Sequence, residues 1–441
     1  MTSSCACESI NTGLDLFAVP PIQTSVQGGL WTEYHPIATI GEAGPIEFVI
    51  KGAGDDYIDL ANSFIHVQAK VLRGDGTALK DTDDMLVVPE NLFIQTMFSE
   101  IDVNVNGTLI TASTGTYGYR AYLESILTYG KDYKQTQLGN SLYYEGDGSQ
   151  FSISSNNTDK GLQSRRARIK RSKLVDMTGR LHIDIFSQER FLLNNVDLRL
   201  RFVRAKNNFA LLACAPMQGD NIEPYKIKIE HMSLYIRKVT LNPAIVLAHA
   251  RALQEAPAKY PIRRSVPKVF SCSSGLMNVV QDNLFLNQRP NRLVVAMVES
   301  KAFNGDYTKS AFEFKHFHTK SMALYIDGHQ IPSKPYTPDF EKKRWARSYL
   351  SLFTGTGMAW KDIGNTITYD EYDKGFAIWC FDLSPSIADG DQIELLKTGN
   401  LRIEISFAKP LPDPIHVIVL GELDGMIEID KSRRVLTDFT S

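Results

Sequence analysis

The sequence predicts an all-β protein made of two similar domains in tandem, and three features point to this. Its 441 residues exceed the size at which one hydrophobic core stops growing, so at least two domains are expected. Short β-type runs with period-two alternation recur along the whole chain. Three landmarks also occur once in each half, in the same order, as duplication of one domain would place them.

In the first half the clearest strand patterns are 46–51, 64–71, 101–105, 181–186 and 196–203, and in the second they are 292–298, 311–317, 323–326, 377–381, 401–407 and 415–420. Successive side chains on a strand point to opposite faces, so this alternation marks half-buried sheet. Helical patterns are few: 119–129, 243–255 and 340–352. In the second of these Asn242 is placed to cap and Pro243 to take the first helical position. The prolines of Ala256-Pro257-Ala258-Lys259-Tyr260-Pro261 cannot continue that helix, which puts the domain boundary near residue 256. The expected division is an extended N-terminal arm over 1–30, a first domain over 31–255 and a second over 256–441.

The first landmark is a tight hairpin, Asn106-Gly107 in one half and Asp327-Gly328 in the other, where both residue pairs supply the positive φ of primed turns. The second is Arg-x-Tyr-Leu on the following helix, Arg120, Tyr122 and Leu123 against Arg347, Tyr349 and Leu350. Gly130 and Gly355 come soon after, and a left-handed C-terminal residue is expected at each. The third pairs Leu198-Arg199 and Ala205-Lys206 with Leu401-Arg402 and Ala408-Lys409. A β-domain of about 200 residues with about eight strands removes its open edges by curling into a barrel or double sheet. Two jelly rolls in tandem are the expected form.

Lys plus Arg number 48 and Asp plus Glu 50, so the net charge of -2 creates no field that would draw the whole chain onto a polyanion. The one concentrated basic run is Arg165-Arg166-Ala167-Arg168-Ile169-Lys170-Arg171-Ser172-Lys173. No aromatic residue interleaves with it for base stacking, so a solvated loop or inter-subunit ion-pair surface is expected, with weak genome contact as the lesser alternative. No segment approaches the ~20 apolar residues of a membrane span, and the polar stretch 1–11 lacks the pattern of an export leader, so a soluble chain made inside a cell is expected. Cys5, Cys7, Cys214, Cys272 and Cys380 are odd in number and scattered, which argues against a disulfide framework. The Cys5-x-Cys7 pair lacks the two further ligands of a structural zinc site.

The chain contains no phosphate-binding glycine loop, nucleophile elbow or His-Glu-x-x-His helix. His316 and His318 have the alternate spacing of a cupin-type metal pair, but Thr319-Lys320-Ser321-Met322 supplies no acid. A solvated or inter-subunit strand face is the expected setting of both. Asp55, Asp56 and Asp59 follow no calcium-loop spacing and fit a solvated turn before a strand starting at Tyr57. No catalytic, cofactor-binding or metal-ligating residue is assigned, and no enzyme or cofactor is expected.

Longer strings carry a family likeness. They are Asp15-Leu16-Phe17 with Pro20-Pro21 and Gln23-Thr24-Ser25, then Gly54-Asp55-Asp56-Tyr57-Ile58-Asp59-Leu60, and Tyr119-Arg120-Ala121-Tyr122-Leu123-Glu124 running on to Tyr129-Gly130-Lys131. The second half adds Asp327-Gly328 with Ile331-Pro332-Ser333-Lys334-Pro335, Leu352-Phe353-Thr354-Gly355-Thr356-Gly357, and Phe381-Asp382-Leu383-Ser384. Over nearly its whole length the chain resembles the major capsid proteins of Polinton (Maverick) elements and adintoviruses. The resemblance implies a double jelly roll whose homotrimers form pseudo-hexagonal capsomers of an icosahedral shell. It further implies location in the virion after assembly inside a host cell, with minor and penton capsid proteins as additional partners. The alternative of another class is a jelly-roll protein that binds carbohydrate or, cupin-like, a small ligand.

Overall fold

A computed structural model describes residues 16, 22–52, 54–111, 114–146, 151, 153–154, 157–216, 221–285, 288–385, 393–394 and 397–439. In the first half, strands β1 (Val26–Tyr34), β10 (Tyr225–Leu241), β3 (Tyr57–Arg73) and β7 (Val175–Arg180) lie in that order in one sheet. The second sheet holds β2 (Ile46–Ile50), β8 (Leu198–Arg204), β5 (Phe98–Val105) and β6 (Thr108–Leu109), and a short pair joins β4 (Val87–Pro89) to β9 (Leu211–Ala213). The second half repeats the arrangement strand for strand. One sheet is β11 (Ala258–Cys272), β18 (Ile415–Ile429), β13 (Arg292–Glu299) and β16 (Ile378–Asp382), with β19 (Val435–Thr437) added beside β18. The other is β12 (Asn278–Gln281), β17 (Leu401–Phe407), β14 (Thr319–Ile326) and β15 (His329–Tyr336).

Counting the eight principal strands of each half in chain order, one sheet reads 1-8-3-6 and the other 2-7-4-5, with every named pairing antiparallel. That order is the jelly roll, and the chain contains it twice. Among the described residues, strands up to Leu241 pair only with one another, as do those from Ala258 onward. Helix Pro243–Glu255 lies between the two sets, and Asn242 Oδ1 accepts the Ala244 N–H at 3.0 Å as an N-cap. The sheet starts at Val26, so the arm drawn over 1–30 overlaps β1; residues 1–15 and 17–21 of that arm, Cys5 and Cys7 among them, lie outside the described residues.

The landmarks fall on equivalent elements. Asn106-Gly107 joins β5 to β6 with φ of 46° and 86°, and Asp327-Gly328 joins β14 to β15 with φ of 50° and 83°. Both link the fourth and fifth principal strands. Helices Tyr117–Thr128 and Ala346–Thr354 each occupy the connection from the fifth strand to the sixth, and β8 and β17 are each the seventh strand. The glycines, however, do not adopt the left-handed conformation expected of them. Gly130 has φ −77° and Gly355 φ −71°.

Gly355 is required for packing instead: a Cβ there would lie 2.5 Å from Cys380 Cβ and 2.6 Å from the Cys380 carbonyl carbon on β16, whereas at Gly130 the nearest atom would be 3.7 Å away. Gly355→Ala is expected to destabilise the chain by about 1–3 kcal/mol through overpacking against backbone, and Gly130→Ala by less than about 1 kcal/mol. Urea unfolding of the two variants checks this, and equal midpoints would refute the packing account.

Two expected strands are absent. Residues 181–186 leave the sheet after β7 and form a short 3-10 helix over Asp184–Ser187, with Leu181, Ile183 and Ile185 buried nonetheless. Residues 311–317 are irregular, joined to Phe376 by a single parallel bridge at Phe314, and Phe317 and His318 have φ of 43° and 52°. In both places apolar residues spaced like a strand are buried against neighbouring elements without forming one. The helix expected over 340–352 starts only at Ala346.

Candidate assembly site

The junction between the two barrels follows from the sequence of β13. In β2 and β17 alternate residues are buried, but Leu293 to Val298 of β13 are buried without a break. Leu293, Val295 and Met297 enter the interior of the second barrel, while Val294, Ala296 and Val298 join a core continuous with the first. A strand covered on both faces loses its alternation. Ile378 and Cys380 of β16, with Ile418 and Leu420 of β18, extend the same outward apolar face.

Against it the first barrel sets helix Tyr117–Thr128. Tyr122 stacks on Phe312 with ring centroids 4.0 Å apart, and Tyr119 stacks on Phe303 at 5.4 Å. Polar bonds complete the seam. Ser310 Oγ donates to Glu90 Oε2 at 2.9 Å, Tyr307 O–H to the Tyr225 carbonyl at 2.7 Å, and Arg433 Nη2 to Asn194 Oδ1 at 2.7 Å. The Ser265 N–H of β11 donates to Asp184 Oδ1 at 3.1 Å, and that carboxylate also accepts Arg120 Nη2 at 2.6 Å. Arg120 Nε in turn donates to Glu124 Oε1 at 2.7 Å, and His182 Nδ1 lies 2.8 Å from Glu124 Oε2.

Burial alone would raise the Glu124 carboxyl, yet the Arg120 guanidinium and the His182 hydrogen bond hold it well below the usual carboxylate range. At Glu90 the balance reverses, and complete burial keeps its carboxyl above the ordinary value although Arg165 Nη1 stands 3.7 Å away. The seam is thus an apolar interface bounded by the Arg120 ion-pair network, within which the Tyr119 and Tyr122 hydroxyls are buried without a hydrogen-bond partner.

Among the described residues, several large apolar groups are exposed on the outer surface. In the connection leading to β16, Trp360 is 90% exposed with φ of 63°, and Ile363 is 61% exposed. A cavity of about 540 Å³ lies beside it, lined in part by Ile331, Tyr336 and Phe381. On the edge strand β1, Leu30 and Trp31 are 60% and 50% exposed, and helix Pro243–Glu255 buries Leu253 while leaving Leu247 outside. Edges and protruding aromatics of this kind are contact surfaces in assembled proteins. Sequence reading singled out Thr354-Gly355-Thr356-Gly357 and passed over Trp360 four positions after Thr356; the glycine-rich run before it is the available signal.

The residues weighed for chemistry are mostly absorbed by the fold. The basic run is no solvated loop: 160–169 is a helix capped by Asp159, whose Oδ1 accepts the Leu162 N–H. Arg165 and Arg166 are buried and donate to the carbonyls of Pro89 and Ser154, while Arg168 binds the Tyr144 hydroxyl and Arg171 pairs with Asp81. His316 and His318 share no strand face. His316 Nδ1 accepts the His318 N–H at 2.9 Å, and its ring stacks on Phe340 at 4.0 Å. Burial, aided by His318, pushes His316 down to about 4, so it packs as a neutral ring. Asp55 and Asp56 lie in a turn before Tyr57 as expected, with Asp56 Oδ1 accepting Thr240 Oγ1, but Asp59 is no part of a solvated turn: it is buried within β3, where it accepts from Asn62 and lies 3.4 Å from Arg237 Nε.

No family model matches the sequence. A curated relative, uncharacterized protein F54H12.2 of Caenorhabditis elegans, is 24% identical over 429 residues, covering 95% of this chain and 99% of its own. Among solved structures, the chain superposes on a protein of the Sputnik virophage with a TM-score of 0.66 and 12% identity, covering 100% of this chain and 95% of that one. The Faustovirus major capsid protein gives 0.60 and 10%, covering 96% and 92%, and the mavirus major capsid protein 0.55 and 10%, covering 100% and 95%. At these identities the likeness is one of fold, and both barrels share it. Among the described residues, no helix is long and apolar enough to cross a membrane.

Proposed function

We propose that this protein is the major structural subunit of an icosahedral viral shell, acting as a homotrimer and not as an enzyme. The observation that carries the reading is the repeated 1-8-3-6 and 2-7-4-5 barrel, the two copies joined by the β13 face and the Arg120 network. Two near-equivalent barrels per chain let a threefold assembly offer six similar sides, and a hexagonal tile needs six. The full-length likeness to viral major capsid proteins supports the same reading. Its partners are further copies of the chain and, at the edges of the lattice, minor and penton proteins. Phosphate contact through the basic run is left to its exposed members, Lys170 and Lys173 among them. The division into an N-terminal arm, a first domain ending near 255 and a second from 256 belongs to this proposal.

The purified chain is expected to be a trimer that persists on dilution, since obligate interfaces bury more than about 2,000 Å² with core-like apolarity. Light scattering across a hundredfold dilution (about 1–100 µM, a range set by the stability of obligate interfaces), with electron microscopy of the same sample, tests this. A folded monomer at every concentration would defeat the proposal.

A further inference from the structure

Two strands distant in sequence bring Glu33, His35 and His231 together on the outer face of the first barrel. Glu33 is on β1, directly opposite Tyr235 of β10, and His35 follows the end of β1 by one residue. On β10, His231, Ser233 and Tyr235 alternate with Met232 and Leu234 and so share one strand face, on which His231 and Tyr235 are half-buried and Ser233 is fully buried. The β10–β3 register shifts between Ile229 and His231, and an irregularity of this kind re-aims the side chain beside it. One ligand atom from each of Glu33, His35 and His231 lies within 4.8 Å of the other two.

Ser233 Oγ sits among them, 2.7 Å from His231 Nε2 and 3.4 Å from His35 Nδ1, and Glu33 Oε1 is 3.8 Å from His231 Nε2. Beside the group, His66 Nε2 is 2.6 Å from Asp176 Oδ1, and the His66 ring meets that of His231 at 6.0 Å.

We propose that Glu33, His35 and His231 form a binding site for a divalent transition metal of the zinc type, which clips the edge strand β1 to β10. Two imidazoles and one carboxylate are the donor set that zinc takes when three protein ligands leave a position open to water. Donors of a tetrahedral zinc at ~2.0–2.1 Å stand about 3.4 Å apart, so exposed side chains close the remaining gap by rotation. Magnesium and calcium, which take all-oxygen ligands, fit this set poorly. Ser233 Oγ, within hydrogen-bond distance of both rings, holds them in place beside Glu33. His316 and His318 are not among these ligands.

The inference does not depend on the shell-forming reading, and its test uses the whole chain in whatever oligomeric state it has. After treatment with a chelator, titration with zinc chloride in a calorimeter is expected to show one tight equivalent per chain, and cobalt(II) chloride a visible spectrum of four- or five-coordinate geometry. His231→Gln and His35→Gln should each lower zinc affinity more than about 100-fold, and Ser233→Ala about 10-fold, while His316→Gln leaves it unchanged. His35 is exposed and His231 half-buried, whereas Ser233 is buried and His316 packs on Phe340, so circular dichroism verifies that each variant is folded. Absence of binding by the intact chain, or an equivalent that survives both the His35 and His231 changes, would overturn the site.

Discussion

Replacing Arg120 with alanine is expected to destabilise the protein by about 3–5 kcal/mol, because Glu124 and Asp184 would remain in the barrel seam without their shared cation. The guanidinium binds both carboxylates at 2.7 and 2.6 Å, and its side chain is 12% exposed, so solvent would screen the orphaned charges little. The loss should depend on pH. Glu124 is held below its usual range in the folded chain, so the stability it contributes is fully present above the unfolded value of about 4.3 and is lost as pH falls toward the depressed folded value. Arg120→Ala removes the largest cause of that depression, and the gap between variant and parent should narrow between pH 7 and pH 3. Urea unfolding at both pH values is the measurement. A gap below about 1 kcal/mol at pH 7, or one that does not change with pH, would show that the pair adds nothing to the seam.

Phe312→Ala should be comparably severe, at about 3–5 kcal/mol, and should act on the docking of the barrels more than on either barrel alone. The ring is fully buried, stacked on Tyr122 and set edge-on to Tyr119 at 5.7 Å and Phe209 at 6.1 Å, all three of which belong to the first half. Its removal opens a cavity between two units that each keep a core. Unfolding is therefore expected to change from one cooperative transition to two, and hydrogen exchange to quicken around residues 117–128 before the inner sheets. A single transition with an unchanged midpoint would mean that the seam contributes little to stability.

Much of the architecture was legible before any coordinates. Alternation at β2, β8 and β17, the Asn-Gly and Asp-Gly hairpins, and the capped helix Pro243–Glu255 are local signals, because turn φ values, caps and strand faces depend on residues close in sequence. Their repetition in order was enough to predict two jelly rolls. Tertiary structure alone decided what lay against those elements. Phe312 and Phe314 alternate with Glu313 and Lys315 like a strand, yet they are irregular chain pressed into the seam. Arg165 and Arg166 look like solvated charge until the Pro89 carbonyl and Glu90 carboxylate meet the first and the Ser154 carbonyl the second, and Gly355 looks like a left-handed cap until β16 passes within Cβ distance. Glu33 and His231 are isolated in sequence and become neighbours only through the pairing of β1 with β10. Period and turn chemistry come from adjacent residues, whereas desolvation, charge pairing and ligand convergence depend on which distant strand arrives alongside, and a linear pattern does not encode that.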